Sequence, residues 1–258
     1  MTRPGRLAAE TGAARRSFLR RRTAVFFTFF FPVIIVVIFG VLVRTQPTGG
    51  GLFAEPAGWY LPGYLAVVVL FTPLTRVGSE VARHRDGNRF EKLATTPLTR
   101  PEWLAAQTLV NVVVVGAAGL LLLALLVAAT DAAVVVSPAL ALLVPFVVVG
   151  VALFCGVGAL LGSLADSQDG VVAASNAVAI PLVFLSETFV SASMLPAWLP
   201  TGLSPLTHFA RGVRRVTYAG PADATGSAAL GPLADLVVLT ALAVLAFVVG
   251  SWSLPRTD

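Results

Sequence analysis

Protein chemistry needs side chains that hold a proton, a metal or a nucleophile, and this sequence is sparing with them. Its 258 residues contain two histidines, His84 and His208, one cysteine, Cys155, and 13 carboxylates. Hydrolysis requires a nucleophile with its base, paired carboxylates or a metal site. The two histidines are expected on opposite sides of a membrane, and His84, between Arg83 and Arg85, reads as part of a solvated basic face. A lone cysteine inside an apolar run forms no intrachain disulfide and no cysteine metal cluster, so Cys155 reads as a small packing residue. The phosphate-cradling GxxxxGK[ST] pattern is missing, and the single lysine, Lys92, follows a glutamate in a helical context, so the chain cannot itself bind and split ATP in that manner. The expectation is a chain that is not an enzyme, with no catalytic residue, no metal and no cofactor of its own.

Ion-coupled carriers place a carboxylate or histidine within the membrane to bind and release the coupling ion. Glu187, near the outer end of an apolar run, and Asp235, at the start of another, are the nearest candidates. Both read more simply as side chains reaching back to the interface.

The elements that position these residues follow from composition. The chain is 57% hydrophobic and 12% charged, which places it among membrane proteins. A helix of about 20 apolar residues crosses the hydrocarbon layer, and six such runs occur, at about 24–43, 61–74, 103–129, 140–164, 171–189 and 233–252. Pro32 lies in the middle of the first run, where a neighbouring helix can compensate for the missing donor. That run is too long for a secretory signal and lacks a small-residue cleavage site. Trp59 and Tyr60 read as an interfacial aromatic pair. Before the first span, Leu7, Thr11, Ala14 and Phe18 share one helical face among arginines, which suits either a helix on the bilayer surface or a basic tail. Between the fifth and sixth spans, Pro196, Pro200 and Pro205 break the apolar stretches into a segment that re-enters one surface, at about 190–230. The fold class is therefore all-α and polytopic: six transmembrane helices in a single domain over 1–258, with an interfacial helix at 1–22 and an outer re-entrant segment.

The net charge of +5 is carried almost wholly by arginine. With six spans and the N-terminus inside, one side holds 14 of the 18 Lys and Arg, leaving Arg44, Arg211, Arg214 and Arg215 outside. The asymmetry predicts a multi-pass protein with both termini cytoplasmic. Placing residues 76–100 within the membrane would cost roughly 3 kcal/mol per basic residue. The basic residues lie in short segments between spans, without the soluble, aromatic-interleaved face that nucleic acid requires.

The stretch 76–102 is the long polar connection. Asp86, Gly87 and Asn88 read as a turn, Asn88 with Glu91 as a capping box, and Pro97 as a stop, giving a helix of under two turns. Thr99 and Glu102 form a second capping box, with Pro101 in the first turn of the helix that leads into the third span. A short capped helix between two spans is either a docking element or an ordinary solvated connector.

The text Phe90-Glu91-Lys92-Leu93-Ala94-Thr95-Thr96-Pro97-Leu98-Thr99 resembles the coupling loop of type 2 ABC exporter permeases, of the drug-resistance, daunorubicin-permease-like kind. The match continues in order through GALLGSL at 158–164, PLVFLS at 181–186, LPAWL at 195–199 and SPLT at 204–207. The resemblance implies a transport subunit that pairs with a second permease chain, identical or not, in the plasma membrane lipid bilayer, and rests on a nucleotide-binding ATPase that supplies ATP and Mg. It implies ATPase contact through Glu91, Leu93, Thr96, Pro97 and Leu98. In that reading Met194 to Val216 closes the outer mouth, with Glu187, Arg211, Arg214 and Arg215 at an outer gate; the plainer reading of the arginines is interfacial anchoring. Gly158 and Gly162 form a GxxxG pair that permits close helix approach. Spans with few charges point to efflux of hydrophobic or amphiphilic cargo. A channel or a scaffold outside the ABC class remains the alternative; a channel would show a polar pore face.

Overall fold

The computed structural model describes residues 2–38, 55–130, 132, 134–190, 194–196, 198–218, 220 and 231–255. Arg44, Gly49 to Gly51, Asp131, Arg256, the end of the first apolar run and residues 191–193, 197, 219 and 221–230 of the re-entrant segment lie outside the described residues. No strand occurs among the described residues, and the elements are helices throughout.

Helix α1 (Arg3–Arg20) has a proline in its first turn, where a missing N–H is harmless. It buries Ala14 and Phe18 against Val110 and Val114, two residues of the face expected from its periodicity. At Arg21 the backbone leaves helical geometry (φ −91°, ψ 79°), and α2 (Arg22–Ile35) departs with a bend of 81° between the two axes. Residues 3–35 are therefore two helices joined by an elbow rather than an irregular basic tail.

Helix α3 (Leu61–Asp86) is the centre of the bundle. Of its most apolar window 72% is buried, against 22% for α9, so α3 is wrapped by protein while α9 faces outward. Sequence patterning ends this helix at Leu74, yet it continues for three more turns through Arg76, Glu80 and His84, because each of these polar side chains finds a protein partner. The polar connection thus starts at Gly87. It carries α4 (Arg89–Ala94) and leads into α5 (Arg100–Ala129). A short 3-10 turn at Pro138–Leu142 opens α6 (Leu143–Leu164), followed by α7 (Gln168–Phe184), α8 (Pro205–Thr217) and α9 (Pro232–Ser253).

Four of these helices are long and apolar enough to cross a membrane, or five if the bent α1 and α2 pair counts as one. The six-span count therefore exceeds what the described helices support. The shortfall falls on α7, whose 17 residues reach about 25 Å at 1.5 Å per residue, short of a hydrocarbon layer near 30 Å. The outer surface is apolar: Val113 and Leu120 on α5 and Val237 and Leu245 on α9 are 61–71% exposed. Such surface belongs against lipid rather than water.

Between apolar helices in lipid, association relies on dispersion contacts at short range, which small residues allow. Gly158 and Gly162 of α6 do this against α3. A Cβ on Gly158 would fall 2.5 Å from the Leu74 carbonyl oxygen, and one on Gly162 would fall 2.3 Å from that of Gly78. The GxxxG pair thus closes an intrachain contact. Gly162→Ala is expected to force α3 and α6 apart and lower stability by about 1–3 kcal/mol. Gly116→Ala, with nothing within 4 Å of its Cβ, should stay within about 0.5 kcal/mol of wild type. Unfolding of the purified chain in detergent measures both.

Candidate functional site

The loop between α3 and α5 is held by a small aromatic cluster and its own hydroxyls. Phe90 of α4 packs with His84 of α3 and Trp103 of α5, the three ring centroids lying 5.4–5.5 Å from one another. His84 is buried there, and its Nδ1 lies 2.8 Å from the Glu80 carbonyl oxygen. The solvated basic face expected around it is thus corrected: Arg83 reaches Glu80, while the imidazole turns inward. The hydroxyls of Thr95 and Thr96 donate to the carbonyls of Lys92 and Leu93 at 2.8 and 2.6 Å, closing the end of α4.

One expected cap forms and the other does not. Glu102 N donates to Thr99 Oγ1 at 3.4 Å and Thr99 N donates to Glu102 Oε2 at 2.8 Å, completing a capping box at α5. Arg6 of α1 adds an ion pair to Glu102 at 2.9 Å. Asn88, in contrast, takes a left-handed conformation (φ 49°) and makes no side-chain cap bond. Asparagine tolerates this conformation, and its N–H instead bonds the Arg85 carbonyl at 3.0 Å, turning the chain after α3. Glu91 is consequently free of any capping duty and points to the exterior, as do Thr96 and Pro97. Leu93 and Leu98 are half-buried and line a groove of about 450 Å³ with Trp103, Trp252 and Pro255.

At the opposite end of α3 the structure assembles a buried charge network. Helix α7 stops at Phe184, and the following residues lie across α3 where Gly63 leaves room; a Cβ there would sit 2.6 Å from the Thr188 carbonyl oxygen. The guanidinium of Arg214, 1% exposed, lies 3.8 Å from the centroid of the Trp59 ring. It donates to the carbonyls of Glu187 (3.0 Å), Thr188 (3.3 Å) and Trp59 (3.3 Å). Arg211 forms a two-bonded pair with the Glu187 carboxylate, which also accepts from Thr201 Oγ1 at 3.2 Å.

A second group sits beside it. Asp235 of α9, 0% exposed, accepts from Arg215 Nη1 at 2.8 Å and from His208 Nδ1 at 2.8 Å. His208 Nε2 lies 2.8 Å from the Gly202 carbonyl oxygen. A carboxylate and a carbonyl oxygen at the two ring nitrogens favour the protonated imidazole. The Asp235 hydrogen bond raises its pKa above the ordinary 6.5; burial and Arg211 act in the other direction.

Several expectations are corrected here. Glu187 and Asp235 do not reach back to an interface, because each is enclosed and paired with cations of α8. Arg211, Arg214 and Arg215 turn into the protein rather than serving as surface anchors, and Trp59 and Tyr60 are each 1% exposed beneath them. The missed signal was the spacing of His208, Arg211 and Arg215, which share one face of a single helix at intervals of three and four, opposite two isolated carboxylates. The loop residues and the charge network are not brought together; they occupy opposite ends of α3. The described residues contain no group of histidine, cysteine and carboxylates able to hold a metal.

A sequence model of the family described as ABC-2 type transporter matches residues 9–218. The match covers most of the chain, including the surface helix, the loop and α8, and the chain belongs to that family. It is the membrane domain of an ABC transporter, a transport subunit. Comparison with curated proteins returned no match.

Breaking the Glu187 and Arg211 pair with Glu187→Gln leaves an uncompensated buried charge and should cost about 3–5 kcal/mol. Glu187→Leu combined with Arg211→Met should recover more than half of that loss, as read by the unfolding midpoint in detergent. The His208 contribution has the opposite pH sense to that of a carboxylate. A folded-state pKa raised above 6.5 stabilises fully below that value and is lost as pH rises through the folded value. The melting temperature should therefore fall as pH rises above 6.5, and His208→Gln should remove this slope.

Proposed function

We propose that this chain is the permease subunit of an ATP-driven exporter in the plasma membrane, with both termini and the α4 loop in the cytoplasm. An ABC ATPase binds at that loop and hydrolyses ATP there, with Mg as its cofactor. The observation that carries the reading is the loop itself: a six-residue helix closed by the Thr95 and Thr96 hydroxyls, presenting Glu91, Thr96 and Pro97 outward beside a groove lined by Leu93 and Leu98. Such a surface can accept apolar contacts from a partner and leave Glu91 to meet a basic residue. The capping box and the Arg6 pair connect motion of the loop to α5 and α1 together.

The membrane half contributes no chemistry; it moves cargo by changing which side is open. A mostly apolar bundle surface favours hydrophobic or amphiphilic cargo. Two copies, or this chain with a related one, enclose the path, and the α8 end with Glu187, Arg211, Arg214 and Arg215 forms its outer closure.

The test is to co-express the chain with the ABC ATPase whose gene neighbours its own, purify through a tag on this subunit and measure ATP hydrolysis in lipid. Wild type should bring down an active ATPase. Glu91→Arg should fold normally, since Glu91 is exposed and makes no side-chain hydrogen bond or ion pair among the described residues, yet lose at least about tenfold of the co-purified activity, the equivalent of one charged contact worth about 1.4 kcal/mol. An intact subunit that carries no ATPase would leave a channel or a scaffold as the better description.

A further inference from the structure

The elbow between α1 and α2 stands away from α3 and leaves an open groove of about 680 Å³, a size within the range of small-ligand sites. Its lining combines Phe27 and Phe31 from α2 and Phe71 from α3 with the hydroxyls of Thr28, Thr72, Thr75 and Ser79. Its loop-side end carries Arg21 and Arg76. Phe27 and Phe31 are 57% and 40% exposed, so the groove opens sideways along α2.

Arg76 is the unexplained residue. It lies on α3 two residues past the apolar run that ends at Leu74, on a helix long and apolar enough to cross a membrane. Its guanidinium stacks on Phe18 at 4.0 Å and bonds Asn111 Oδ1 at 3.3 Å. No carboxylate lies within 4.0 Å of it among the described residues, whereas the nearby Glu80 is engaged by Arg21 at 3.3 Å and by Arg83. The groove end is thus positive in excess. Phe18 belongs to α1; with α1 read as a helix on the bilayer surface, Arg76 sits at the level of lipid phosphates.

We propose that this groove is a binding site for one anionic phospholipid from the leaflet on the loop side. Its phosphate is held between Arg76 and Arg21, and an acyl chain runs along Phe27, Phe31 and Phe71. A soluble anion would have no use for a phenylalanine wall one and two turns beyond the arginines. Apolar cargo without a charge would have no use for Arg76. The proposal rests on the membrane placement alone and does not depend on the ATPase reading: it can fail while Glu91→Arg behaves as stated, and the reverse.

The experiment is native mass spectrometry of the full chain released from neutral detergent, with phosphatidylglycerol and phosphatidylcholine of equal chain length offered together. Wild type should retain one phosphatidylglycerol in preference to phosphatidylcholine. Arg76→Gln should lower that preference by about fivefold, the effect of one basic residue at an anionic surface, while Lys92→Gln on the exposed α4 should leave it unchanged. Thr72→Phe keeps both arginines and adds a ring to the groove lining, so it should reduce retention of both lipids even if Arg76→Gln proves unable to fold. Equal retention of the two lipids by wild type, or a preference and a bound lipid that survive both variants, overturns the proposal. So does complete displacement by inorganic phosphate, which would mark a soluble-anion site, or a dimer that carries no lipid, which would mean a second copy fills the groove.

Discussion

A hydrocarbon layer offers no water to an unpaired carbonyl, and the end of the bundle at α8 depends on how that demand is met. Helix α7 stops short, and the residues after it have no regular ladder to complete. Arg214 collects the carbonyls of Glu187, Thr188 and Trp59 on one guanidinium, which itself rests on the Trp59 ring. Burying an arginine is costly unless its charge and donors are used, and here they are used on backbone that would otherwise be left open. The neighbouring charges follow from the same placement. With α8 pinned across the opening of α3, Arg211 faces Glu187, while His208 and Arg215 face Asp235 of α9. One irregular connection, two carboxylates and four basic side chains thus join α3, α8 and α9.

The loop end is organised differently. Its polar groups are satisfied over short sequence distances, by Thr95, Thr96, Thr99 and Glu102, and its apolar anchor is the cluster of His84, Phe90 and Trp103. Glu80 connects that cluster, through His84, to the elbow, through Arg21. A displacement of α4 would therefore be felt at α5 through Phe90 and at the α1 and α2 elbow through Glu80. The two ends of α3 form a contrast between an enclosed charge network and an open, locally stabilised loop. The lipid proposed at the elbow would lie on that route, beside Glu80.

Much of this was legible in residue order. The third and fourth apolar runs became α5 and α6 with their ends nearly in place, and the Thr99 and Glu102 box formed as spaced. Ala14 and Phe18 faced inward as their shared helical face implied. Where reading by residue type went astray, the residues were polar and their partners distant. Glu187 and Arg211 stand 24 positions apart, and His208 and Asp235 stand 27 apart. A carboxylate near the end of an apolar run has the same local signature whether it reaches water or a folded-back arginine. Asn88 failed for a local reason: a left-handed residue turns the chain, and its side chain no longer meets the third residue of the next helix.

Residue order by itself determined the membrane class, the helical class, the apolar runs and the charge asymmetry, because hydrophobic length and backbone satisfaction are properties of short contiguous stretches. It also determined the loop motif that marks the family. Only the tertiary structure decided that α3 runs on to Asp86 and that α7 ends before it spans. It alone decided that the arginines of α8 are internal and that Arg76 is left with a groove in front of it. These outcomes turn on whether a charge meets its complement, and that depends on which helices lie side by side.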